Sequence, residues 1–218
     1  MSGFFSRLMD ETASARSELL AIPALARGAR GEISLPSYLA FLGEAYHHVK
    51  HTVPLLMACG ARLPERLEWL REAVGHYIKE EMGHQEWILS DIEAAGGDAQ
   101  AVRHGQPLPE TELMVAYAYD TVQRNNPVGF LGMVLVLEGT SIHLATDAAK
   151  AIRGRLDLPS QAFSYLTSHG ALDVGHMDFY QSLVDRLDDE TDRRAVIHCA
   201  QMFYRLYGAI FRALPLDD

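Results

Sequence analysis

An all-α, single-domain helical bundle of about seven helices, spanning residues 1-218, is the fold class this sequence predicts. Apolar residues recur at three- and four-residue spacing along nearly the whole chain, and no stretch alternates long enough to read as a strand. Proline, glycine and capping acids punctuate the pattern, while no Pro-, Gly- or Ser-rich linker divides it.

The elements follow in order. A first helical region covers roughly Gly3 to Gly28. Ser34 is suited to cap a second, with Pro36 in its first turn, that runs through Leu56. A long third helix begins near Pro64 and stops at Gly96-Gly97. After a polar turn, Pro109 opens a fourth that ends near Asn125-Asn126. Pro127 starts a fifth, which reaches Gly154. Pro159 and Ser160 introduce a sixth that extends to about Leu187, with Gly170 and Gly175 weakening its interior. Asp189 caps a seventh, which ends before Pro215.

Composition narrows the functional classes. With 48% hydrophobic and 22% charged residues, the 218-residue chain is ordinary globular material and large enough for a sizeable core. A net charge of −10 without a basic stripe argues against nucleic acid as a partner. The longest apolar run, Gly129 to Leu137, is too short to span a bilayer, so no membrane partner is expected. Arg7, Asp10 and Glu11 interrupt any secretory apolar segment at the start. Cys59 and Cys199 stand alone, as buried thiols of a cytoplasmic protein would.

One phrase occurs twice. Residues 81–87 read EMGHQEW and residues 173–179 read DVGHMDF, each an acid, a glycine, a histidine, a second acid and an aromatic at matching places. On a helix, i and i+3 project from one side, so Glu81 pairs with His84 and Asp173 with His176. A single acid-x-x-His is more often a solvated acid beside an incidental histidine, but the match extends over seven positions. Glu138 lies in GFLGMVLVLEGTSIHLA, apolar on nearly every side, where an ionised carboxylate needs a cation or donors. Glu44 holds the corresponding place in the first half. One acid from each of two helices and an acid-x-x-His from each of two others is how four-helix di-iron carboxylate sites are built. Carboxylate oxygens with imidazole nitrogens suit Fe(II), with Mn(II) the other candidate. His169 extends the second copy to His-x-x-x-Asp-x-x-His, a stripe of His169, Asp173 and His176 flanked by Leu166, Met177 and Tyr180.

These motifs, with the helix order, resemble the heme-oxygenase-like di-iron oxidases and oxygenases, a family that shares its fold with thiaminase II and pyrroloquinoline-quinone synthase. The resemblance spans essentially the whole chain and is carried by the metal motifs. It implies six iron ligands: Glu81, His84, Glu138, His169, Asp173 and His176. It also implies two Fe(II) per chain, O₂ as co-substrate, and a small organic substrate of the fatty acid, amino acid or aromatic amine class. Glu44, wanted by the four-helix count, is not a ligand in the family pattern and stays an additional candidate. His48 is another, since heme oxygenases draw their heme histidine from an early helix, although HHVKH reads equally as a partly solvated face. Gly129, Gly132 and Gly139 only faintly echo the glycine-rich distal helix of those enzymes.

Tyr46, Tyr77 and Tyr180 are candidate pocket residues, and Glu80, Glu86, Asp91 and Asp178 are candidates to orient the histidines. The alternatives are a metal-free enzyme like thiaminase II, a heme oxygenase, or a non-catalytic helical protein that holds a metal or ligand. Domains of this fold commonly pair, which implies a homodimer. Trp69, Phe203 and Phe211 are available for its surface, although each such aromatic is more often core than interface.

Overall fold

A computed structural model describes residues 3–216, apart from the side chains of residue 143 and residues 169–176. Twelve α-helices and three 3₁₀ turns, and no strand, occur among the described residues. The count exceeds the expected seven because several predicted helices are each broken by a tight turn. The first region divides into α1 (Phe4–Glu11), α2 (Ala13–Leu20) and α3 (Pro23–Ala29). The second becomes α4 (Leu35–Val49) and α5 (Thr52–Arg62), and the third becomes α6 (Glu68–Glu81) and α7 (His84–Ala94). The expected polar turn contains α8 (Ala99–His104), started by the Asp98 carboxylate accepting from Ala101 N at 2.9 Å. The remaining helices fall close to their predicted places: α9 (Pro109–Arg124), α10 (Leu131–Leu156), α11 (Ser164–Val184) and α12 (Glu190–Ala213).

The caps explain the boundaries that were predicted well. Ser34 Oγ accepts from Ser37 N at 3.2 Å and opens α4, while Asp189 accepts from Thr191 N at 2.7 Å and opens α12. The two copies of the repeated phrase fold differently. In the first, Met82 is extended and Gly83 has φ +95°, a left-handed conformation, so the expected long helix breaks between Glu81 and His84. In the second, α11 continues through Gly170 and Gly175 without a break.

α10 is the central element and packs along α11 and α12. Gly132 permits the close approach to α12, since a Cβ there would lie 2.4 Å from Ala200 N. One apolar core gathers between α5, α6, α9, α10 and α12, and a second between α4, α7, the C-terminal half of α10 and the start of α11. Phe203 and Phe211 belong to the first core and are buried, so neither is available to a partner surface. Trp69 is half-buried, with the Arg186 guanidinium 4.1 Å from its ring centroid. Among the described residues, no single helix is long and apolar enough to cross a membrane.

Candidate functional site

A cavity of about 170 Å³ opens between α3, α4, α10 and α12. Most of its wall is aliphatic or aromatic, and the polar exceptions include His48, Tyr77, Glu81 and Glu138. Glu81 at the end of α6 and Glu138 in the middle of α10, 57 residues apart in sequence, thus reach one chamber. Glu81 is buried, and Glu138 Oε2 is shielded from solvent.

The helix break places His84 beside Glu81. His84 Nδ1 lies 3.1 Å from Glu81 Oε2, and its ring stacks on Trp87 with centroids 4.0 Å apart. With the proton on Nδ1, the carboxylate accepts and Nε2 becomes the basic nitrogen, the form in which imidazole binds a metal. The predicted pair therefore meets across two helices instead of along one.

Burial pushes the Tyr77 phenol far above its usual range, and Glu138, Glu80 and Glu81 push it further. Several carboxylates therefore act on one enclosed place, where low dielectric makes like charges costly and a bound cation favourable. The donors also suit the metal, since carboxylate oxygens and imidazole nitrogen fit iron(II). No group of three or more His, Cys, Asp or Glu able to hold a metal occurs among the described residues. His169, Asp173 and His176 lie outside them, so their expected contribution stands on sequence alone.

The additional candidates separate. Glu44 does not line the cavity: both of its carboxylate oxygens accept from Leu108 N, at 3.2 and 3.1 Å, where α9 begins. A carboxylate at a helix N-terminus satisfies an otherwise orphaned donor and complements the helix dipole. Glu44→Ala is expected to cost about 1 kcal/mol in urea denaturation while leaving bound iron unchanged; loss of iron would return Glu44 to the ligand set. His48, one turn further along α4, does line the cavity, with its ring edge-on to Tyr207 at 5.9 Å. His47 and His48 are both buried while Lys50 and His51 are half-buried, so only the end of this stretch meets solvent.

Of the three candidate tyrosines, only Tyr77 lines the cavity. Tyr180 is buried in the core and donates to Leu131 O at 3.0 Å. Tyr46 packs against His47 and lies under Lys50, away from the cavity. Glu86 is a surface charge paired with Arg103, and Asp178 is exposed. Asp91 is fully buried and accepts from Ser164 N at 3.0 Å, Tyr165 N at 2.8 Å and the Ser164 hydroxyl. It anchors the first turn of α11, the helix that carries the histidine stripe, and so touches the site only through backbone.

Tyr165 and Tyr207 line the cavity and were not predicted. Tyr165 stands four residues before His169, so carrying that stripe back one turn identifies it. Tyr207 lies between Phe203 and Phe211 on one helical stripe, whose aromatics are more often core than interface. Neither cysteine lines this cavity; Cys59 donates to Pro127 O at 3.3 Å, and burial pushes its thiol up to about 12.

The sequence pattern of a family described as iron-containing redox enzymes matches residues 39–208. Among solved structures, the chain is similar to a domain of unknown function with a heme oxygenase-like fold from Shewanella denitrificans. Their identity is 25% and TM-score 0.85, over 96% of this chain and 91% of that one. It is similar to a TenA homologue from Pseudomonas syringae, at 9% identity and TM-score 0.79, over 96% and 91% of the two chains. It is also similar to heme oxygenase-1 from the cyanobacterium Synechocystis, determined in complex with heme, at 11% identity and TM-score 0.75, over 98% and 92%. No curated protein matches. At 9 and 11% identity the last two likenesses concern the fold alone, which is heme-oxygenase-like.

Proposed function

This chain belongs to the family of iron-containing redox enzymes, and we propose on that premise that it is an O₂-dependent non-heme oxidase or oxygenase holding two Fe(II). The observation that carries the reading is the arrival of Glu81 and Glu138, from separate helices, in one apolar cavity. Glu81, His84 and Glu138 would hold the iron from α6, α7 and α10, and His169, Asp173 and His176 would complete the set from α11. Bound there, two ferrous ions would supply the electron pairs that dioxygen needs to oxidise an unactivated organic substrate.

The protein's own groups do the rest. Glu81 orients His84 through the 3.1 Å contact and fixes which ring nitrogen is basic. Tyr77, kept protonated by its surroundings, presents a phenolic proton at Oη inside the cavity. The apolar wall excludes water, which strengthens each electrostatic interaction inside and protects reactive species from side reactions.

Loading the purified protein with Fe(II) under anaerobic conditions is expected to give about two irons per chain, followed by dioxygen uptake and an optical change on exposure to air. A protein that takes up no iron, or whose iron does not respond to O₂, would overturn the proposal. A heme reading draws on His48, a buried imidazole in the same cavity. Added hemin would then give a histidine-ligated Soret band that His48→Ala abolishes, and the iron reading predicts neither.

A further inference from the structure

We propose that Trp87 is a positioning residue, whose indole fixes the plane of the His84 ring and with it the direction of Nε2. What His84 holds rests on the iron reading; how His84 is held does not. Trp87 closes the first copy of the repeated phrase, three residues after His84 and so on the same side of α7. The acid and the histidine of that copy meet at the site, while its aromatic has no part in the chemistry described so far. The two rings are stacked, with centroids 4.0 Å apart and planes inclined by 30°.

His84 needs such support because of where it stands. It is the first residue of α7 and follows Gly83, whose left-handed conformation breaks the helix. Side chains on a helix lean toward its N-terminus, and no turn of α7 lies there to hold the ring. A histidine ring turns about χ2 over a broad range. Aiming one of its nitrogens therefore takes two constraints, an edge and a plane. Glu81 Oε2, 3.1 Å from Nδ1, fixes the edge but lets the ring tilt about that contact. The stacked indole removes the tilt. It cannot choose the edge, since a ring flipped over remains stacked, so neither residue substitutes for the other. A functional side chain must be held within about 10–20° of its productive direction, which a single hydrogen bond does not impose. The indole face is also electron-rich, and a cation on Nε2 would draw density from the imidazole, so the stack strengthens when metal binds. Phe179 holds the corresponding place in the second copy and packs against Tyr77 and His76 of α6, with ring centroids 5.5 and 5.3 Å away. The role assigned here is therefore that of Trp87 alone.

Long-range ¹H–¹⁵N NMR of the iron-free protein, at about pH 8 where imidazoles are ordinarily neutral, reads the tautomer of His84. The unaltered protein should show one tautomer, protonated at Nδ1, with nuclear Overhauser contacts between the two rings. Trp87→Leu should give an averaged mixture of tautomers. It should also weaken Fe(II) binding about fivefold, measured anaerobically in competition with a chromophoric chelator. Trp87→Phe keeps a ring face, and should retain the single tautomer and lose at most about twofold in affinity. A folded Trp87→Leu protein with the tautomer unchanged would overturn the proposal, as would equal weakening in both variants. If Trp87→Leu does not fold, a tautomer mixture in the unaltered protein, or in Trp87→Phe, overturns it instead. Because the tautomer is read without iron, a protein that takes up no metal would sink the proposed function and leave this result standing. An unchanged tautomer would do the reverse.

Discussion

Glu138→Gln is expected to lower bound iron from about two to at most one per chain and to erase most of the thermal stabilisation that Fe(II) confers. The substitution keeps the shape of the side chain and removes only its charge. Within α10, the run LGMVLVLEGTSI contains no other charged residue, so no neighbour on that stretch can replace the carboxylate. A ligand at a hundred times its dissociation constant stabilises the folded state by about 2.7 kcal/mol. For a chain of this size, that corresponds to a melting shift of roughly 5–10 °C. Melts recorded anaerobically, with and without Fe(II), should show that shift in the unaltered protein and little of it in the variant. Glu44→Ala supplies the contrast, since it removes a carboxylate engaged with the α9 backbone and should keep the whole shift. A Glu138→Gln protein that still shows the full shift would take Glu138 out of the iron site.

Glu138 stood out in the sequence because an acid within an apolar helical pattern demands a physical reason, and Glu81 because its phrase occurs twice. The helical class was legible for a similar reason: spacing of three and four leaves no room for a strand. What the sequence did not reveal was where helices break and which way a residue faces. Gly83 and Gly175 occupy the same place in the same phrase, yet one takes a left-handed conformation and the other lies within a continuous helix. A glycine permits a break, and tertiary packing decides whether the break is made. Direction failed similarly on α4, where Glu44 and His48 are one turn apart. The backbone N–H of Leu108 draws Glu44 to α9, while His48 reaches the cavity. Phe211 is core, as such aromatics more often are, yet nothing in the sequence says that it also faces the cavity. Periodicity identifies a buried stripe but not what lies opposite it.

Asp91 is the residue whose loss should cost the fold most. α11 is 21 residues long, and no side chain of its own caps its first turn. The carboxylate of Asp91, from α7, does so in trans, taking the N–H groups of Ser164 and Tyr165 and the Ser164 hydroxyl. Beside it, Tyr38 donates to Ala162 O at 2.7 Å, so the entry to α11 is tied down from two helices. Asp91→Ala leaves two part-buried backbone donors and a hydroxyl without this acceptor, at about 1–3 kcal/mol for each group left unsatisfied. The expected loss is roughly 3–5 kcal/mol, read as a lower urea midpoint, with a melting temperature lower by about 10 °C or more. Asp91→Asn should recover about half. Burial pushes the Asp91 carboxyl up although its hydrogen bonds pull the other way, so the buried charge is itself costly. A neutral amide avoids that cost and keeps one acceptor oxygen for the backbone. The same entry turn carries Tyr165 into the cavity, so a folded Asp91→Asn protein should also bind iron less tightly than the unaltered chain. If Asp91→Ala melted within 1 kcal/mol of the unaltered protein, water would have to be satisfying those donors, and α11 would owe its placement to packing against α10 alone.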